Sequence, residues 1–249
     1  MTIQSALFLV GAGVLAGTVG TAGGITSLVS YPALLSVGVP ALPASIANII
    51  AVVACWPGSA LASRSELMGL FYTLARLGTV AALGSVAGSL LLLSTPPGVF
   101  SRVVPFLLAS GSLILVLEPV IAGSPRGTSL LGHRGILSLG LLAVSFYNGY
   151  FGAGAGIMTL ALVLLTLESR MARANAAKNM LIGVASAISA LTFVILRRVD
   201  WIVIVPLAAG EFGGSLLGPF VARRLPPRYI RYFASAAGLV MALKMWIWP

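Results

Sequence analysis

Apolar residues run along this chain in long blocks, and charged or turn-forming residues punctuate them at helix-length intervals. Spanning the hydrocarbon core of a bilayer takes about 20 apolar residues at about 1.5 Å each. Blocks that approach this length occupy 3–19, 24–37, 43–62, 70–93 and 102–121. A more polar connector follows, Ala122 to Arg134 (AGSPRGTSLLGHR), and then blocks at 135–150, 156–168, 174–196, 200–221 and 229–247. The pattern predicts an all-α membrane protein of about eight to ten transmembrane helices. The first two blocks of each half are short and a glycine cluster separates them. They predict either a pair of thin helices or a re-entrant hairpin.

The two sets of five blocks repeat one another. Gly17, Gly20 and Gly24 in GTVGTAGG recur as Gly149, Gly152 and Gly156 in GYFGAGAG, 132 residues later. Ile46-Ala47-Asn48-Ile49 lies opposite Ala177-Lys178-Asn179-Met180, GSVAGSLL at 84–91 opposite GEFGGSLL at 210–217, and Pro96-Pro97 opposite Pro226-Pro227. One such match means little in a glycine-rich membrane sequence; four in the same order point to duplication. The expected organisation is a first repeat over 1–121, a linker over 122–134 and a second repeat over 135–249.

Composition narrows the solvent. Hydrophobic residues make up 59% of the chain and charged residues 8%, against about 25% charged in soluble domains. Mean hydropathy is +1.06. So few charges cannot cover a water-facing surface of this size, so the solvent is lipid. The net charge of +10 comes from Lys and Arg placed singly or in pairs between apolar runs, which flanks membrane segments rather than tracking phosphates and excludes a nucleic-acid partner. The start, MTIQSALFLVGAG, has no basic n-region and reads as the first membrane segment.

Positive charge also tests the topology, because cytoplasmic loops carry excess Lys and Arg. If each half crosses five times, or three times plus a re-entrant hairpin, eleven basic residues fall on one side: Arg64, Arg76, Arg126, Arg134, Arg170, Arg173, Lys178, Arg223, Arg224, Arg228 and Arg231. Four fall on the other: Arg102, Arg197, Arg198 and Lys244. Counting each glycine-broken pair as one crossing spreads the charges almost evenly. The rule therefore selects odd halves. Odd halves joined in sequence have opposite orientation, and the N-terminus is expected outside. Inverted repeats are a signature of transporters that alternate between two openings around a midplane site.

Gly84, Gly88, Gly210 and Gly214, at four-residue spacing on long segments, predict close helix packing. The clusters at 17–24 and 149–156 fall instead where an apolar run breaks and a helix begins. Packing explains these too, but a helix N-terminus also presents unpaired N–H groups and a positive dipole end to an anion. A broken helix is tolerated at depth where it lines protein or a cavity. Two such starts, near Gly24 and Gly156, would face each other across a pseudo-twofold axis.

GTVGTAGGITSLVSYPALL with PASIANI, and GYFGAGAGIMTLALVLL with ARANAAKNM followed by RRVDW, resemble the sulfite exporter TauE/SafE family over nearly the whole chain. The resemblance implies a bacterial inner-membrane permease for sulfite, a sulfonate such as sulfoacetate, or a related organic anion. One departure is GTAGG, with Thr21 and Ala22 where the glycine run is usually denser.

The candidate binding set is Gly20, Thr21, Gly23 and Gly24 at the first break, Gly152, Gly154 and Gly156 at the second, and Asn48, Lys178 and Asn179 beside them. Lys178 lies about five residues, or roughly 7 Å, inside its segment. It either snorkels to the surface or attracts the anion. The two Asn at matched positions serve either as donors to substrate or as interhelical bonds. Glu211, in AAGEFGGS opposite Ser85, is mid-segment, where an acid usually faces a bundle interior or a watery cavity. It is a candidate proton carrier, or else a structural partner for an Arg or a backbone group. Cys55, the only cysteine, reads as a small buried hydrophobe, Glu118 as interfacial, and Asp200, Trp201, Trp246 and Trp248 as interface anchors.

Enzyme chemistry finds little to build on. His133, the only histidine, sits in the linker, and no GxxxxGK[ST] phosphate loop is present. No cofactor or metal is expected. The expected partners are a small anion, membrane lipid and, for coupling, protons; a homodimer is one arrangement the chain allows. A passive anion channel and a non-transporting membrane scaffold are the alternatives to a carrier.

Overall fold

The computed structural model describes residues 1–122 and 134–224, together with helical positions 236, 239, 240, 242–244, 246 and 247. All regular structure among the described residues is helical: α1 (Ile3–Gly23), α2 (Thr26–Ser36), α3 (Ala41–Val52), α4 (Cys55–Ala62), α5 (Arg64–Leu67), α6 (Phe71–Ser94), α7 (Pro97–Ala122), α8 (Arg134–Tyr150), α9 (Ala155–Thr166), α10 (Met171–Leu196) and α11 (Trp201–Arg224). His133, Pro226-Pro227, Trp248 and most of the 122–134 linker lie outside the described residues, as does most of the last expected segment. Five spans are long and apolar enough to cross a membrane: Ile3–Gly23, Ala41–Ala62, Phe71–Ser94, Met171–Leu196 and Trp201–Val221. Pro97–Ser110, Gly135–Tyr150 and Ala155–Thr166 are shorter apolar helices.

The expectation of a short first segment in the first half is corrected. α1 runs 21 residues, to Gly23, straight through Gly17 and Gly20. Those glycines do not break the helix because their bare faces are occupied. A Cβ on Gly13 or Gly17 would strike the backbone of α11 around Leu207 and Glu211, and one on Gly20 would strike Thr26. Only at Gly24, with φ near +80°, does the chain turn. α2 and α9, of 11 and 12 residues, are short, about 17 Å each and well under a bilayer core.

Glycines set the helix packing twice over. On one flank, α1 lies against α11, with Gly210 and Gly214 closing on the backbone of Val10 and Val14. On the other, α8 lies against α6, with Gly84 and Gly88 closing on Leu142 and Phe146, and Gly149 closing on Ser85. Without a hydrophobic drive in lipid, such approach lets dispersion and backbone contact hold helices together.

The segment expected as one helix over 43–62 is broken at Val53 and Ala54. Pro57 supplies the reason: it has no N–H for the carbonyl of Val53, which accepts instead from Trp56 at 3.1 Å in a tightened turn. α10, the matched element, has no proline and stays continuous over 26 residues.

The helix ends gather in two places. A vestibule of about 590 Å³ is lined by Met1 and Ser5 at the start of α1, Val39 after α2, and Arg197 and Arg198 after α10. The Arg197 guanidinium donates to the carbonyl of Leu93, near the end of α6, at 3.2 Å. At the start of α6, roughly 36 Å away along that helix, Leu70 and Leu77 share an apolar cluster with Leu137 of α8, Val163 of α9 and Ala174 of α10. The larger core joins α2, α3, α7 and α9 around Tyr31, Phe100 and Phe151, whose rings meet edge to face. Outside the helices, Glu168 before α10 accepts from Arg170 and pairs with Arg173 at 2.8 Å. Partial burial pushes its carboxyl up, but the hydrogen bonds from Arg170 and the charges of Arg170 and Arg173 outweigh this and hold it below the usual carboxylate range.

Candidate functional site

α1 and α2 form one hairpin and α8 and α9 another, and their tips meet. A Cβ on Gly24 would strike the backbone of Gly156 and Ile157, and a Cβ on Gly156 would strike the backbone of Gly24. The denser glycine run is not needed for this: Thr21 and Ala22 lie inside α1, and Gly24 alone makes the approach. Gly152 and Gly154, at φ +83° and +84°, turn the second tip. Neither α2 nor α9 has a side-chain hydrogen bond at its N-cap, Ile25 or Gly154.

Beside the meeting point lies a polar cavity of about 40 Å³, room for a few water-sized groups. Of the candidate binding set, Gly20, Thr21, Gly24, Gly152, Gly156, Lys178 and Asn179 line it. Gly23, Asn48, Gly154 and Glu211 do not. Gly23 has open space where its Cβ would stand, and Gly154 serves as the N-cap of α9.

Lys178 does not snorkel. It is 1% exposed, and its ammonium donates to the carbonyl of Gly20 at 3.1 Å. Asn175 and Asn179 donate to the carbonyl of Thr21 at 2.9 and 3.1 Å. Positions 175, 178 and 179 share one face of α10 at i, i+3 and i+4 spacing. Together they serve the carbonyls of Gly20, which also accepts from the Gly24 N–H, and of Thr21 at the end of α1, where the dipole favours a cation. An ammonium has three donors, so the bond to Gly20 leaves others for a ligand in the cavity.

Asn48 lies behind this wall. Its Oδ1 accepts from the Ser30 hydroxyl, while its buried Nδ2 has no partner. Glu211 is fully buried; its Oε2 stands 3.9 Å from the Cys55 thiol, and Oε1 is unpartnered. The described residues include no Arg or Lys paired with it. Cys55 is buried as expected, but it also lines the cavity and so stands between the cavity and Glu211.

The sequence reading missed Asn148, Asn175 and Trp56. Asn148 lines the cavity and donates to Ser186 at 3.2 Å; its place beside Gly149 of the repeated cluster was the available signal. Asn175 sits four residues before Asn179, a helical spacing that marks a common face. Trp56 packs its ring over Gly183, and no local pattern in the sequence points to that contact.

Several proteins are similar in sequence. A probable membrane transporter protein of Haemophilus influenzae is 29% identical over 167 residues, which is 66% of this chain and 64% of that protein. One of Escherichia coli K12 is 27% identical over 166 residues, 65% of this chain and 60% of the relative. The match therefore spans less than two thirds of the length of either relative. A third, from Sinorhizobium sp., is 26% identical over 241 residues, 96% of this chain and 91% of its own length. No solved structure matches. The sulfite exporter TauE/SafE family model matches residues 6–245, nearly the whole chain including both hairpins and α10. This chain belongs to the sulfite exporter TauE/SafE family of membrane proteins.

Proposed function

We propose that the protein is a secondary transporter of a small anion, working by alternating access between two inverted halves, 1–121 and 135–249. The observation that carries this reading is the backbone contact between Gly24 and Gly156 beside a polar cavity that Lys178 lines. Two uncapped helix starts and a buried ammonium bring positive potential to one point, which suits an anion stripped of water. Inversion is supported by the helix ends. The α1–α2 ends lie with Arg197 at the end of α6, while Leu137 and Val163 of α8–α9 cluster at its start. The paired flanks, α1 on α11 and α8 on α6, are what a twofold relation would produce.

The substrate class in this reading is oxidised sulfur, sulfite or a sulfonate, or a related organic anion, in keeping with the family's name. Gly20, Thr21, Gly24, Gly152, Gly156, Lys178 and Asn179 form the binding wall. Glu211, behind Cys55, is the candidate proton carrier, and the chain sits in the inner membrane with its N-terminus outside. The test is counterflow in proteoliposomes loaded with sulfite, a sulfonate or a small carboxylate. A carrier gives saturable uptake and counterflow; flux that does not saturate indicates a channel, and no flux or anion-dependent stabilisation indicates a scaffold.

A further inference from the structure

We propose that Tyr147 and Asn48 are alternative donors to one acceptor, the carbonyl of Ala153, and that exchange between them positions the second hairpin during transport. The inference rests on the inverted-repeat reading above. The 132-residue offset that maps Gly20 onto Gly152 maps Thr21 onto Ala153, and the neighbouring 131-residue offset maps Asn48 onto Asn179. The carbonyls of Thr21 and Ala153 are thus equivalent points on the two hairpin tips.

They are not bonded alike. Thr21 is held from the opposite half, by Asn179 and Asn175 of α10. Ala153 is held from within its own hairpin, by the Tyr147 hydroxyl at 2.7 Å. Asn48, the counterpart of Asn179, is fully buried with an amide donor that has no partner. A buried donor left unpaired is costly, and the acceptor its counterpart uses is the one Tyr147 occupies. The first tip is clamped to α10, while the second is latched to itself and not clamped to α3. In the alternate state Asn48 takes Ala153 and the Tyr147 hydroxyl releases it, so the second tip gains the cross-half bond that the first already has. Tyr147 does not line the cavity; it is a positioning residue that acts through the hairpin.

Cys55, the only cysteine and a cavity-lining residue, is a native reporter. The full chain is reconstituted, and Cys55 is labelled with a membrane-impermeant maleimide applied from each face in turn. Tyr147→Phe should move the ratio of the two labelling rates at least threefold. Kinetically it should change kcat while leaving KM within twofold. Asn48→Ala should move the ratio the opposite way, and the double variant should return it to near the wild-type value. An unchanged ratio in both single variants, or a Tyr147→Phe shift that persists in the double variant, overturns the proposal. Absence of counterflow in the wild type would instead sink the transport reading, whatever the labelling shows.

Discussion

The two hairpin tips share a glycine register but differ in how they are held. Three donors on α10 reach the first tip across the molecule. The second tip is capped by one hydroxyl of its own hairpin. The difference traces to single positions. α10 carries Asn175 and Lys178 where α3 carries Ala44 and Ala47, and α4 carries Pro57 where α10 carries Ile188. The two tips share the glycines that allow close approach and differ in the polar clamp. In the alternating-access reading proposed above, one tip is anchored and one released, an asymmetry that gives the protein a preferred resting state.

The largest effect should come from forcing the tips apart. Gly24→Ala places a side chain at positive φ and against the backbone of Gly156, and should cost about 2 to 5 kcal/mol in unfolding experiments in detergent. Gly23→Ala, one residue away with open space around it, should be neutral or stabilising by up to about 1 kcal/mol. Equal effects at the two sites would remove the tip contact from the account.

Next comes the clamp against the latch. Lys178→Met leaves the carbonyl of Gly20 without its charged donor and should cost about 1.5 to 3 kcal/mol. Tyr147→Phe removes a neutral bond and should cost about 0.5 to 1.5 kcal/mol. The reverse order would mean that the second tip is the anchored one. Lys178→Gln should weaken anion uptake while the protein still folds, and unchanged apparent affinity would remove Lys178 from the site.

The smallest effect should lie in the loop before α10. The Glu168 carboxyl is held low, so its contribution to stability is fully present above the ordinary carboxylate value of 4.5 and is lost as pH falls below it. Glu168→Gln should cost within about 1 kcal/mol at neutral pH and flatten the acid limb of the unfolding profile. An acid limb that keeps its shape would mean the ion pair with Arg173 contributes nothing.

Much of the site was legible before the fold was known, because the signals were local and repeated. The breaks at Gly24 and Gly152–Gly156, the matched Asn48 and Asn179, and the mid-segment Glu211 each stand out against an apolar background. Their depth was legible too, since a polar residue far from either end of an apolar block has nowhere to go but inward. Which of them face a common space was not. Asn48 and Asn179 occupy matched places in sequence, yet one lines the cavity and the other is turned to Ser30. Gly17 and Gly20 looked like part of a break and proved to be packing surfaces inside α1.

By itself the sequence determined the class of solvent and the helical class, because hydropathy acts through the chain's own backbone; it showed the repeated glycine register but not which of those glycines end a helix. The tertiary structure decided that the two breaks touch, that the carbonyls of Gly20 and Thr21 at the end of α1 accept from Lys178 and Asn179 of α10, and that Cys55 stands between the cavity and Glu211. Those are meetings between residues some 130 to 160 positions apart. No local propensity sets them; they follow from how α1 seats against α11 and α8 against α6, where the glycines let backbones close and leave polar side chains only a few places to point.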